Sequence, residues 1–287
     1  MSTEAAAVLA ATLPKIRELA GKTVVVKHGG STMASGSALT QDLLLLQHLG
    51  VRVVVVHGGG PEITAMLDSL QVPIQWVEGL RVTDEAVLDV ATMVLGAKVN
   101  TRLVAVINGQ GGRAVGLSGV DGNLLVVNKA QMSQDLGFVG TVTAVNTSLL
   151  NSLLDDGYIP VIAPIGIDGQ GQTYNVNADA AAGAIAGALG AASLALLTDV
   201  PGIYTQDAAG NKTIVSRISG REVHALIANG QISGGMVPKV KGCLTALAQG
   251  VRQVQILDGR QEHPLIEAWL TAAGGGTIVV QETSDEP

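Results

Sequence analysis

Val24-Val25-Val26-Lys27-His28-Gly29-Gly30 is followed, about thirty residues on, by Val53-Val54-Val55-Val56-His57-Gly58-Gly59-Gly60. Each stretch is a β-branched run ending in a glycine cluster. Such a run suits a strand buried on both faces of a parallel sheet. Glycines directly after it let backbone N–H groups converge on an anion with no Cβ in the way. Two such turns on neighbouring strands can grip one charged ligand. Lys27 adds a positive charge at the strand's carboxyl edge, where open α/β sheets bind ligands. Phosphate chemistry is the first expectation.

Composition narrows the class. The chain has 287 residues, enough for one large domain or two lobes. Hydrophobic residues make up 47% but aromatics only 2%, so the core is built from Ala, Val, Leu and Ile, as in an α/β protein. A formal charge of -7 and a single Phe argue against nucleic acid, which needs a basic face and, for single strands, stacking platforms. Cys243 is the only cysteine, which excludes an intramolecular disulfide and a Cys-based zinc site. It also fits a reducing compartment, so a cytoplasmic enzyme is expected. Residues 180–197 carry no charge and have the length of a membrane span. They are mostly Ala and Gly, however, and read better as a buried helix followed by a strand at 193–197. Glu4 ahead of the first alanines and the lack of a basic leader argue against a signal peptide.

Helices and strands alternate along the chain. Leu9, Leu13, Ile16 and Leu19 place an amphipathic helix at residues 5–20. A second helix at 41–49, closed by Gly50, leads to the strand at 52–56 and completes a βαβ unit. Pro61 suits the first turn of the next helix, whose N-terminus then faces the second glycine cluster. Residues 84–109 read as helical, 114–117 as a strand, 124–128 as part of a smaller sheet, 149–154 as a helix and 159–162 as a buried strand. Residues 168–172 read as a hairpin loop. Asn175-Val176-Asn177-Ala178-Asp179 then stands directly before the Ala-rich helix. Asn177 as N-cap and Asp179 as a first-turn acid would account for that cluster without chemistry. A further glycine turn, Ser233-Gly234-Gly235-Met236-Val237-Pro238-Lys239, brings a second lysine.

Familiar motifs are missing. No segment fits the P-loop, and no dinucleotide fingerprint follows a strand. No nucleophile elbow is present, and the five histidines lack metal-ligand spacing, so no metal site is expected.

Taken together the residues resemble the amino-acid kinase family, from about residue 8 to about residue 280. The resemblance rests on 24–30, His57-Gly58-Gly59-Gly60-Pro61-Glu62, Gly79-Leu80-Arg81-Val82-Thr83, Val115-Gly116-Leu117-Ser118-Gly119, 175–179, Leu197-Thr198-Asp199-Val200-Pro201-Gly202 and 234–239. Segment 79–83 is similar to the acetylglutamate branch rather than the carbamate, aspartate, uridylate or glutamate 5-kinases. The implied fold is a three-layer αβα sandwich with a mainly parallel central sheet. The implied units are an N-terminal helix (1–21), an acyl amino acid lobe (22–177) and an ATP lobe (178–287). The implied reaction moves the γ-phosphoryl group of ATP to the side-chain carboxylate of N-acetyl-L-glutamate.

A carboxylate is already a nucleophile, so such catalysis is positioning plus charge compensation. By resemblance, Lys27 and Lys239 flank the moving phosphoryl group, and Asp179 accepts hydrogen bonds from both. Gly29, Gly30 and Gly58, with amides at Gly59 and Gly60, hold phosphoryl oxygens. Arg81 grips the α-carboxylate, Asn175 and Asn177 lie near the acceptor, and Gly59 and Gly60 also line its site. Thr198, Asp199, Gly202 and Gly235 belong to the ATP half, and Mg²⁺ is held mainly by phosphates and water.

The first helix is similar to the extension that joins dimers of arginine-inhibited members into hexamers. His263, Glu267 and Gly275 are similar to their arginine-site segment, which implies L-arginine as feedback inhibitor of a homo-oligomer. The chain departs from the family pattern Lys-Tyr-Gly-Gly-Asn-Ala at His28, Ser31 and Thr32. Either these are neutral replacements, or they mark a paralogue acting on another acylated acidic amino acid such as aminoadipate. A non-catalytic sensor is expected to lose a charged position, yet Lys27, Asp179 and Lys239 are all present.

Overall fold

The computed structural model describes residues 3–29, 36–206, 211–233, 236–271 and 274–281. Gly30, Ser31, Thr32 and Gly235, all singled out above, lie outside the described residues.

Eight strands form the central sheet: β1 (Thr23–His28), β2 (Arg52–His57), β3 (Ala114–Ser118), β4 (Ile159–Ala163), β5 (Ser193–Thr198), β6 (Arg217–Ser219), β7 (Gln253–Asp258) and β8 (Thr277–Val280). Their order is β6-β8-β7-β5-β1-β2-β4-β3. Six of them run parallel; β8 is antiparallel to β7 and carries β6 alongside. The hydrophobic runs behave as read: β1 sits between β2 and β5, with Val24, Val25 and Val26 fully buried.

Alternation along β1 and β2 assigns the two faces. Val25, Val54 and Val56 pack against the helices Ala178–Ala188 and Met236–Ala248. Val24, Val26, Val53 and Val55 pack against Gly36–His48 and Pro264–Leu270. Helices thus cover both faces, the three-layer arrangement expected. The sheet runs unbroken across the boundary drawn at residue 177, so the two halves share one core.

The helix Glu85–Gly109 is long and apolar enough to span a bilayer by length and composition. Here Val87, Val90, Val94, Leu95 and Val99 are buried against Ile63 and Leu67 of the helix Gly60–Ser69. Its middle turn, Met93–Val99, is a π-helix. That wider turn delays the helical phase and brings Asn100 inward, where it is buried. The charge-free stretch 180–197 divides between the Ala-rich helix and β5, as its glycines imply.

The smaller sheet expected around 124–128 is present, and two of its features go beyond that reading: it closes on itself, and a short hairpin stands beside it. Leu125–Lys129, Val139–Val145, Ile165–Ile167 and Thr173–Val176 close into a small barrel. Trp76–Val77 and Leu80–Arg81 form a hairpin whose turn residues, Glu78 and Gly79, have φ of 50° and 80°. Positive φ at both central positions matches the right-handed twist of a tight hairpin and favours glycine. The turn sets Arg81 directly opposite Trp76.

Candidate active site

The carboxyl ends of β2, β1 and β5 lie side by side. His28 is in register with both His57 and Leu197. The two glycine turns are tied together, since Gly58 N–H donates to the His28 carbonyl at 2.9 Å. Lys27 and His28 point to opposite faces, as neighbours on a strand must. The Lys27 ammonium pairs with Asp179 Oδ1 at 2.8 Å, in the first turn of Ala178–Ala188. His28 turns the other way, into a small cavity of about 70 Å³ lined by Leu39, Leu43 and Leu103. Burial, with Lys27, His57 and Arg102 nearby, pushes its imidazole down to about 4.

Asn177 is the N-cap of Ala178–Ala188. Its Oδ1 accepts from the backbone N–H of Asp179 and Ala180 at 2.9 and 3.1 Å. The capping reading is therefore right, and the cap is also what presents Asp179 to Lys27.

Gly58, Gly59, Gly60, Arg81, Asn175 and Asn177 line one pocket of about 180 Å³. They come from three separate chain segments. Arg81 is held by stacking, its Cζ 4.4 Å from the Trp76 ring centre, and by Nη2 donating to Thr64 Oγ1 at 2.8 Å and the Gly60 carbonyl at 3.2 Å. Its Nη1 is buried and has no hydrogen-bond partner among the described residues. Asn175 is steadied by its side-chain amide, which donates to Thr83 Oγ1 at 3.2 Å; that hydroxyl in turn donates to the Arg81 carbonyl at 2.9 Å.

On the other side of Lys27, at the end of β5, Lys239 donates to Thr198 Oγ1 and pairs with Asp199 Oδ1 at 2.7 Å. The lysine and the neighbouring hydroxyl hold the Asp199 carboxyl down to about 2. This corrects the expectation that Asp179 receives both lysines: Asp179 pairs with Lys27, and Lys239 goes to Asp199. The reason is placement, because Thr198 and Asp199 end the strand nearest the first turn of Met236–Ala248. Asp179 instead packs further along that helix, about 3.8 Å from where a Gly242 Cβ would stand. Gly202 sits against Thr277, whose hydroxyl accepts from Ile203 N–H at 2.8 Å. Beyond lies a polar cavity of about 400 Å³ lined by Ser233 and Met236 of the further glycine turn and by Tyr204, Gln206, Lys212 and Gln231, which the sequence reading did not single out.

Two residues beneath the second glycine turn were also missed. His57 Nδ1 lies 3.0 Å from the Gly58 carbonyl, and its Nε2 lies 3.1 Å from Asn100 Nδ2. The signal available was weak, because Asn100 stands among Lys98, Thr101 and Arg102 in a helix that also carries Asn108. His263, Glu267 and Gly275 line neither the Arg81 pocket nor the polar cavity. His263 pairs with the buried carboxylate of Asp42 at 2.7 Å, and Asp42 also accepts from the N–H groups of Leu265 and Ile266. Gly275 accepts from the Gln255 side chain, and Glu267 stands in the first turn of Pro264–Leu270.

Across the sheet, then, stand an Arg-lined pocket, two lysine–aspartate pairs and a larger polar cavity, the layout of an α/β domain that brings two anions together. Residues 22–258 match the amino acid kinase family, and the chain belongs to it. It is 48% identical over 284 residues to "Acetylglutamate kinase" of Desulforamulus reducens, covering 97% of this chain and 98% of that one. It also resembles the solved N-acetylglutamate synthase from Neisseria gonorrhoeae complexed with coenzyme A and N-acetyl-glutamate. There the TM-score is 0.85 at 27% identity, covering 99% of this chain and 64% of the synthase chain. The same synthase complexed with coenzyme A and L-arginine gives 0.84 at 27% identity, covering 99% of this chain and 66% of the synthase chain.

Proposed function

We propose that this chain transfers the γ-phosphoryl group of ATP to the side-chain carboxylate of N-acetyl-L-glutamate, making an acyl phosphate on the route to arginine. The observation that carries the reading is the pocket in which residues 58–60, 81 and 175–177 meet, with a buried guanidinium nitrogen that has no partner among the described residues. A guanidinium there suits the planar α-carboxylate. The acceptor lies in the half built by residues 22–177, and ATP in the half built by 178–287. Relatives named acetylglutamate kinase over nearly their full length support the same activity.

No base is required, because the acceptor carboxylate is ionised. Lys27 meets charge on the acceptor side and Lys239 on the nucleotide side, while amides of the glycine turns donate to the phosphoryl oxygens. Asp179 holds Lys27 in place. Asp199, with Thr198, holds Lys239 until phosphate oxygens compete for it. The polar cavity at Tyr204, Gln206 and Gln231 receives the base and sugar. Mg²⁺ enters on the ATP phosphates. Both site carboxylates face lysines, and among the described residues no three His, Cys, Asp or Glu cluster, so the phosphates and water would supply most of its ligands.

L-arginine regulates the enzyme at His263, Glu267 and Gly275, and the chain works as a homo-oligomer, a trimer of dimers, in the cytoplasm. The helix Thr3–Leu19 supports this, since it packs on Pro264–Leu270 and leaves Val8, Leu9 and Leu13 exposed. The His263–Asp42 pair links the same region to the helix after the first glycine turn. Arginine acts only if it binds two states unequally.

An acceptor panel with ATP and Mg²⁺ tests the activity. N-acetyl-L-glutamate should exceed N-acetylaspartate, one methylene shorter, by roughly 10- to 200-fold in kcat/KM, and should exceed free glutamate and acylated aminoadipate. Absence of turnover with the first acceptor overturns the reading.

A further inference from the structure

His57 closes β2 on the face opposite Lys27, fully buried, with both ring nitrogens engaged. Asn100 Nδ2 also lies 2.8 Å from the Val161 carbonyl and 3.3 Å from the Leu117 carbonyl, both acceptors, so the amide nitrogen is the group that faces His57. An amide nitrogen only donates. The amide carries two N–H groups: one goes to the Val161 carbonyl at 2.8 Å, and the other lies between His57 Nε2 at 3.1 Å and the more distant Leu117 carbonyl at 3.3 Å. An Nε2–H would face those amide hydrogens, so Nε2 is the acceptor, the ring proton sits on Nδ1, and it is donated to the Gly58 carbonyl. In a planar trans peptide the C=O and the following N–H point in opposite directions. Drawing the Gly58 oxygen toward the imidazole turns the Gly59 N–H away from it, toward the side of Lys27 and the acceptor pocket.

We infer that His57, locked as its Nδ1–H tautomer by Asn100, is a positioning residue that aims the Gly59 N–H at the transferring phosphoryl group. The inference rests on the phosphoryl-transfer reading above. His57 touches no substrate; it acts through one peptide plane. An imidazolium would set an N–H against the Asn100 amide, and burial keeps the ring neutral, with its pKa lowered to about 4. The donor is therefore constant across the working pH range. Asn100 in turn depends on Gly116, where a Cβ would stand 2.0 Å from Asn100 Oδ1.

The test pairs a spectrum with kinetics. In the wild-type protein, ¹⁵N-histidine NMR should show one neutral ring protonated at Nδ1 and lost in the His57→Asn variant. His28 is a second buried neutral ring, so the His57 signal is the one that disappears in His57→Asn; that signal protonated at Nε2 overturns the proposal whatever the activity. His57→Leu, which cannot donate, should lower kcat by about 10- to 100-fold, with KM for both substrates within about threefold. His57→Asn, which can place an amide donor near the Nδ1 position, should recover most of that loss. Equal kcat in wild type and His57→Leu overturns the proposal, as does His57→Asn being no better than His57→Leu. If His57→Leu does not fold, the wild-type spectrum and His57→Asn kinetics still decide: a tenfold or greater loss of kcat in His57→Asn counts against the idea. Wild-type protein inactive on every acceptor sinks the phosphoryl-transfer reading instead, while the Nδ1 signal is unaffected.

Discussion

Lys27 Nζ stands 2.8 Å from Asp179 Oδ1, one from the central strand and the other from the first turn of a capped helix. The pair is largely screened from water, so each partner depends on the other. Lys27→Met should lower kcat by roughly 10²- to 10³-fold, the scale of losing one oxyanion-type donor. Asp179→Asn should lower kcat as well, by releasing Lys27 from its position, while KM for ATP moves less. Steady-state kinetics on both, with melting curves to confirm folding, will show whether kcat or KM carries the loss.

Arg81→Lys keeps the charge but loses the fork and the stacking on Trp76. KM for N-acetyl-L-glutamate should rise tenfold or more, with KM for ATP unchanged. A parallel rise in both would place Arg81 outside the acceptor pocket.

Gly116→Ala should push Asn100 aside, since its Cβ would fall 2.0 Å from Oδ1. Overpacking of this kind costs about 1–3 kcal/mol, and kcat should fall with it. A lower melting temperature at full kcat would uncouple Asn100 from the glycine turn.

His28 and His57 give the stability a pH dependence of known sign. Both have pKa values lowered to about 4 in the folded protein against 6.5 in the unfolded chain. Between those values the unfolded chain binds more protons, so stability is complete above about pH 6.5 and declines as pH falls toward 4. Each histidine accounts for on the order of 2–3 kcal/mol across that window. Urea unfolding of His28→Phe at pH 7 and pH 5 should show a smaller drop than wild type; an equal drop would remove His28 from the account.

Removing residues 1–20 should reduce both the particle mass in light scattering and the inhibition by L-arginine. Unchanged values for both would leave the first helix without a regulatory part.

The valine runs of β1 and β2 and their glycines were readable because the signal is local: β-branched residues, then residues without side chains. The same holds for Asn177, whose place before an Ala-rich stretch marks a cap. The Trp76–Arg81 hairpin has strands of two residues, too short to show a period, and Val139–Val145 curves through a small barrel where inside and outside do not alternate simply. Lysine partners were the hardest to read. Which carboxylate meets Lys239 depends on where Met236–Ala248 docks against the end of β5, a tertiary distance that spacing along the chain does not carry. His57 was read for the glycines after it, although its ring needed Asn100, more than forty residues away, to acquire a defined proton.

The opposite orientation of Lys27 and His28 has a consequence for how this chain can vary. Two adjacent codons specify residues that share no surroundings: one pairs with Asp179 at the carboxyl end of the sheet, and the other fills a pocket under Gly36–His48. A change at position 28 therefore bears first on the packing of that helix, on the face away from the Lys27–Asp179 pair. A designer seeking a hardier protein thus has, one residue from Lys27, an address that faces the interior of the opposite layer.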